Sequence, residues 1–131
     1  MTLAELLSIP FIRGAESVSD ESGAWSRRFE YPEIRGCVIE AETALNGLRA
    51  LELLRVARLL RAIGTGQAIP CPRPPLRSLD VAGQLRDFGL DIPPDLLELD
   101  ERRAATDARI PALVDEATRM AEQLAAQPTP A

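Results

Sequence analysis

Apolar positions along this chain switch between two periods. From Ala24 to Tyr31, the residues Trp25, Arg27, Phe29 and Tyr31 alternate with Ser26, Arg28 and Glu30. A period of two with three aromatics on one side predicts a half-buried strand. Upstream, Pro10–Val18 reads as an extended segment carrying Phe11, Ile12 and Val18, interrupted by Gly14. The polar tract Ser19-Asp20-Glu21-Ser22-Gly23 between the two runs predicts a hairpin. Pro32 ends the second strand, Gly36 allows a tight turn, and Cys37-Val38-Ile39-Glu40-Ala41 predicts a third. Thr43 then stands at an N-cap position, and the period becomes helical from Ala44 to Ile63, stopped by Gly64 and Gly66. At the start, Thr2–Ser8 predicts one helical turn, with Thr2 as cap and Glu5 three positions later. The order is α+β: a small three-stranded antiparallel sheet covered by one long helix, followed by a helical C-terminal extension.

Within the long helix, Leu53, Val56, Leu60 and Ile63 make one apolar stripe, which Leu48, Leu51, Leu54 and Leu59 widen beyond the needs of one sheet face. The extra leucines either complete the core or form an oligomer interface, and Leu48, Leu51 and Leu59 are the candidates for a homodimer or higher homo-oligomer. Arg49, Arg55, Arg58 and Arg61 face the single acid Glu52 and read as a solvated face. Ile69-Pro70-Cys71-Pro72-Arg73-Pro74-Pro75-Leu76 is too proline-rich for a helix or a central strand. It reads as a linker or a cover for a sheet edge, or else as a proline ligand for another protein. Beyond it, Ser78 caps a predicted helix over Leu79–Phe88, another begins near Pro94 or Asp95, and Pro111 interrupts that helix or starts a new one. Ile110, Leu113, Val114, Ala117, Met120, Ala121 and Leu124 keep a helical spacing. The organisation is therefore a β-β-β-α domain over 1–76, a helical extension over 77–127 and a disordered tail over 128–131.

Composition narrows the chemistry. The chain has 131 residues, 46% of them hydrophobic, which suits one compact domain or a small domain with a helical extension. It contains no histidine, so the usual general base near neutral pH and every Ser-His or Cys-His pair are missing. All 15 positive charges are arginines, which removes Schiff-base chemistry and a P-loop. The carboxylates converge in no evident motif, and an enzyme is not expected. Cys37 and Cys71, without histidine, make no zinc site, and two free thiols are expected. No cofactor or metal is implied. The net charge of −5 argues against a general nucleic-acid binder and suits a basic partner. No run approaches the ~18 apolar residues of a membrane span, and the first residues lack the basic leader of a secretory signal. The cytoplasm is the expected compartment.

The stretch from about Ile9 to Leu76 resembles the HicB family of antitoxins. The resemblance is carried by Asp20-Glu21-Ser22-Gly23, by Tyr31-Pro32-Glu33-Ile34-Arg35-Gly36-Cys37-Val38, by Ala41-Glu42-Thr43 and by Gly66-Gln67-Ala68-Ile69-Pro70-Cys71-Pro72, in register over half the chain. Pro32, Gly36, Cys37 and Thr43 would define its fold. Arg35, Ala41 and the Asn46-Gly47 pair depart from the family pattern and mark a divergent member. In an internal helical position Gly47 costs ~1 kcal/mol relative to alanine. The resemblance implies a protein that binds and neutralises a small basic ribonuclease toxin, here through an acidic rim of Glu30, Glu33, Glu40 and Glu42. An accessory scaffold that recruits a protein or peptide without toxin or DNA is the alternative. Family members often add a C-terminal DNA-binding module. Here Asp95–Gln127 holds eight acids and four arginines, which repel phosphate, so DNA binding is not expected.

Overall fold

A computed structural model describes residues 1–128. Its sheet has strands β1 (Gly14–Ser19), β2 (Trp25–Glu30) and β3 (Val38–Ala41), antiparallel in the order β1-β2-β3. Gly14 pairs with Glu30 and opens β1 rather than interrupting it, while Phe11 and Ile12 precede the strand. At the β1–β2 turn, the Asp20 carboxylate accepts hydrogen bonds from the backbone of Ser22 and Ala24 and from the Ser22 hydroxyl. Between β2 and β3, Tyr31 N–H donates to the Cys37 carbonyl, and Gly36 takes a φ of 74°. That left-handed conformation is the one glycine adopts without a Cβ penalty. Ala15, Phe29 and Ile39 form one cross-strand row, and Glu16, Arg28 and Glu40 form a row on the opposite face. Phe29 and Ile39 face the core, where Phe29 is buried, while Ala15 on the edge strand is exposed. Trp25 lies further along the same side, beyond the core, and is 70% exposed, so the aromatic alternation does not extend its burial to that end of the strand.

The long helix, α2 (Ala44–Gly64), starts on Thr43, whose hydroxyl accepts from Asn46 N–H. It lies between the sheet and the C-terminal helix α6 (Arg109–Ala125). A helix covered on two sides must be apolar nearly all round, which accounts for the surplus leucines. Leu51 and Leu59, expected at an oligomer interface, are 0% and 1% exposed inside the chain's own core; Leu48 is half-buried. Gly47 has a packing reason as well. A Cβ there would stand 2.1 Å from a ring carbon of Phe29, so the missing side chain is the space the ring occupies.

Short helices complete the fold: α1 (Leu3–Leu7), α3 (Val81–Asp87), α4 (Pro94–Leu97) and α5 (Glu101–Ala105). Thr2 and Glu5 form the expected capping box on α1. Asp80, not Ser78, caps α3. Pro111 is the third residue of α6, where a backbone N–H has no helical acceptor to lose. Ile110, Leu113, Ala117 and Ala121 form the buried face of α6. One hydrophobic cluster runs from Leu3 and Phe29 through α2 to Leu96 and Ala121, across both predicted parts of the chain. The two parts are also joined by hydrogen bonds from Leu3 N–H to Leu99 O and from Glu101 N–H to Met1 O. The predicted tail, from residue 129 on, lies outside the described residues. No described helix is long and apolar enough to cross a membrane.

Candidate functional site

The four acids expected to form a partner-binding rim divide into three settings. Glu30 and Glu40 stand on the outer face of the sheet, opposite the helices. There they are joined by Glu16, whose cross-strand neighbour Arg28 also pairs with Glu40 in the register. Arg28 bridges Glu16 at 3.7 Å, leaving a face of three carboxylates and one cation, with Val18, Ser26 and Val38 between them. Glu42 follows β3 and is exposed near Trp25, lining a shallow depression with Glu40 and Val18. Glu33 is different: its carboxylate accepts from Arg73 Nη1 at 2.9 Å and from Ile12 N–H at 2.6 Å. Those bonds, the Arg73 guanidinium first, hold its carboxyl below the usual range. Glu33 therefore braces the proline-rich segment. Arg73 also donates to Pro10 O, and Leu76 N–H to Ser8 O, so that segment runs along residues 8–12 and pairs with neither edge strand.

A second feature escaped the sequence reading. A half-open groove of about 640 Å³ lies between α2, the segment from Leu7 to Arg13, and the stretch from Leu76 to Phe88. Leu45, Leu48, Arg49, Glu52 and Arg55 recur three or four positions apart, so one face of α2 forms its wall. Arg55, read from sequence as part of a solvated face, is only 6% exposed. Its Nε donates to Glu52 at 3.1 Å and its Nη1 to the Leu7 carbonyl at 2.7 Å. Tyr31 donates its hydroxyl to the other Glu52 oxygen, and Arg13 approaches that oxygen at 3.9 Å. Burial, then the Glu52 carboxylate, pushes the Tyr31 hydroxyl above its ordinary pKa, so it remains a donor. The only signal in the sequence was the lone acid Glu52 among four arginines on α2.

The turn residues serve the fold. Pro32 and Gly36 are exposed, whereas the Cys37 thiol is buried and pushed up to about 12, chiefly by desolvation. Cys71 is exposed, and both thiols are free. Among the described residues no group of three or more His, Cys, Asp or Glu is placed to hold a metal ion. No protein-family model, curated protein or solved structure matches the chain.

Proposed function

We propose that this chain is a binding module of the HicB-like antitoxin type, which docks a small basic ribonuclease toxin on the outer face of its sheet. The observation that carries the reading is the one-sided coverage of the sheet. The helices pack on one face over β2 and β3, while Glu16, Glu30 and Glu40 occupy the other around a single Arg28. Charge complementarity of this kind speeds encounter with a basic surface and rejects phosphate. The edges of β1 and β3 add unpaired backbone groups beside that face. The reading keeps Glu30, Glu40 and Glu42 as partner-binding residues, adds Glu16, and removes Glu33 to a bracing role. The cytoplasm suits it, because thiols stay reduced there. A second reading, a scaffold recruiting a non-toxin protein through the same face, shares the support of the open sheet. With Leu51 and Leu59 inside the core, a homodimer would not form through those two residues.

Growth rescue separates these readings. Any small basic protein encoded beside this chain's gene is expressed alone and then together with the chain, and the lack of such a neighbour overturns the antitoxin reading. Rescue that is lost on charge reversal of Glu16, Glu30 and Glu40 to lysine supports the antitoxin reading. A neighbour that is not toxic, or rescue indifferent to the three reversals, overturns it. A complex with a non-toxic neighbour that the same reversals disrupt favours the scaffold.

A further inference from the structure

The groove beside α2 is independent of the sheet face, and its chemistry is of another kind. Its walls are largely apolar, with Phe11, Leu45, Leu48 and Phe88 prominent, and its volume falls within the ~300–1,000 Å³ of small-molecule sites. Its charges do not cancel. Three arginines, Arg13, Arg49 and Arg55, line it against the one carboxylate of Glu52. This positive surplus sits in a chain whose net charge is −5.

Arg55 supplies the specific feature. Its Nε and Nη1 are engaged by Glu52 and by the Leu7 carbonyl, while its Nη2 makes no hydrogen bond among the described residues. No fully buried side-chain nitrogen or oxygen among those residues lacks a partner. Nη2 therefore reaches solvent, and the groove is the cavity that Arg55 lines. A guanidinium otherwise sunk in the core thus keeps the N–H donors of Nη2 unpaired where Arg55 lines the groove. Arg49, six residues earlier at the other margin of the groove-lining stripe of α2, is exposed and has no ion pair among the described residues.

We infer that this groove is a binding site for an apolar small-molecule carboxylate, with its carboxylate on Arg55 and Arg49 and its apolar body along Leu48 and Phe88. A free acid of this class matches both the charge surplus and the apolar walls. A neutral apolar molecule would leave the Arg55 donors desolvated and unpaired, which disfavours it. A cation would meet three arginines.

Decanoate, held below its micelle concentration, is the probe, with decanol and decyltrimethylammonium as controls. Titrations followed by two-dimensional amide NMR should show saturable decanoate binding, with the largest shifts at Leu48, Arg49 and Arg55. Decanol should bind at least about tenfold more weakly, and the ammonium should not bind. Arg49→Glu, at an exposed position, should weaken decanoate about tenfold or more and leave decanol unchanged. A circular-dichroism melt like that of the wild type will show that this variant is folded. Equal affinities for decanoate and decanol, no response to Arg49→Glu, shifts centred elsewhere, or no saturable binding would each overturn the assignment.

Discussion

Gly47→Ala sets helix propensity against the Phe29 ring, and the structure decides which wins. In an open helix the added methyl gains ~1 kcal/mol. Here the new Cβ would lie 2.1, 2.5 and 2.9 Å from three ring carbons of Phe29. The ring is 3% exposed and packed in the core, so it has little room to retreat. Overpacking of a tight core costs ~1–3 kcal/mol, and an approach this close takes the upper end. The net expectation is destabilisation by about 2 kcal/mol, or a Tm lower by roughly 8 °C for a chain of this size. Urea unfolding followed by circular dichroism measures it, and Phe29→Ala supplies the control. That change alone should cost about 3–5 kcal/mol. In its background, however, Gly47→Ala should recover its normal gain of ~1 kcal/mol. The two sites are thus expected to couple by about 3 kcal/mol in a double-mutant cycle. If Gly47→Ala stabilises the wild type, the ring does not occupy that space and the argument fails.

Glu52→Ala should cost about 3 kcal/mol in urea unfolding, because it strands the nearly buried Arg55 guanidinium and the Tyr31 hydroxyl. Glu52→Gln, which keeps an acceptor for Tyr31, should cost less, and equal losses for the two variants would contradict this placement. Asp107 is held down at about 2, first by hydrogen bonds from the Arg109 side chain and then from its backbone N–H. Its folded pKa lies below its unfolded value, so its contribution is complete above about pH 4. The contribution is lost as the pH falls towards 2. Thermal melts from pH 5 to 2 should accordingly fall less steeply for Asp107→Asn than for the wild type, and identical slopes would refute the assignment. Cys71 should react at once with a thiol reagent, whereas Cys37, buried and raised to about 12, should wait for denaturant. Rapid modification of both in the native protein would contradict that burial.

The local chemistry of this chain was legible where one residue carries the signal. Thr43 capping α2, the Thr2–Glu5 box and the turn at Gly36 all follow from what single side chains or their absence permit. Partners distant in sequence were not legible. Nothing in the spacing of α2 tells whether Leu51 and Leu59 meet a second chain or the chain's own core, since both arrangements require the same apolar stripe. Likewise Arg55 has the appearance of a surface cation until the Leu7 carbonyl, 48 positions earlier, accepts a hydrogen bond from its Nη1. Glu33 looks available to a partner for the same reason: Arg73, which occupies it, lies 40 positions away within the proline-rich segment. Only the cross-strand register reveals Glu16 beside Arg28.

The position of α2 between sheet and α6 has a bearing on how the protein is made. A ribosome at ~5–20 residues per second releases β1 to β3 and α2 well before α6 exists. During those seconds the sheet can close on one side of α2, but the side awaiting α6 keeps its leucines in water. The nascent chain thus carries a sticky helix whose cover arrives last, a window in which a chaperone or a premature second chain competes with α6. A chain stopped at residue 76 would be held in that state, so its solubility, more than its strand content, would register what α6 provides.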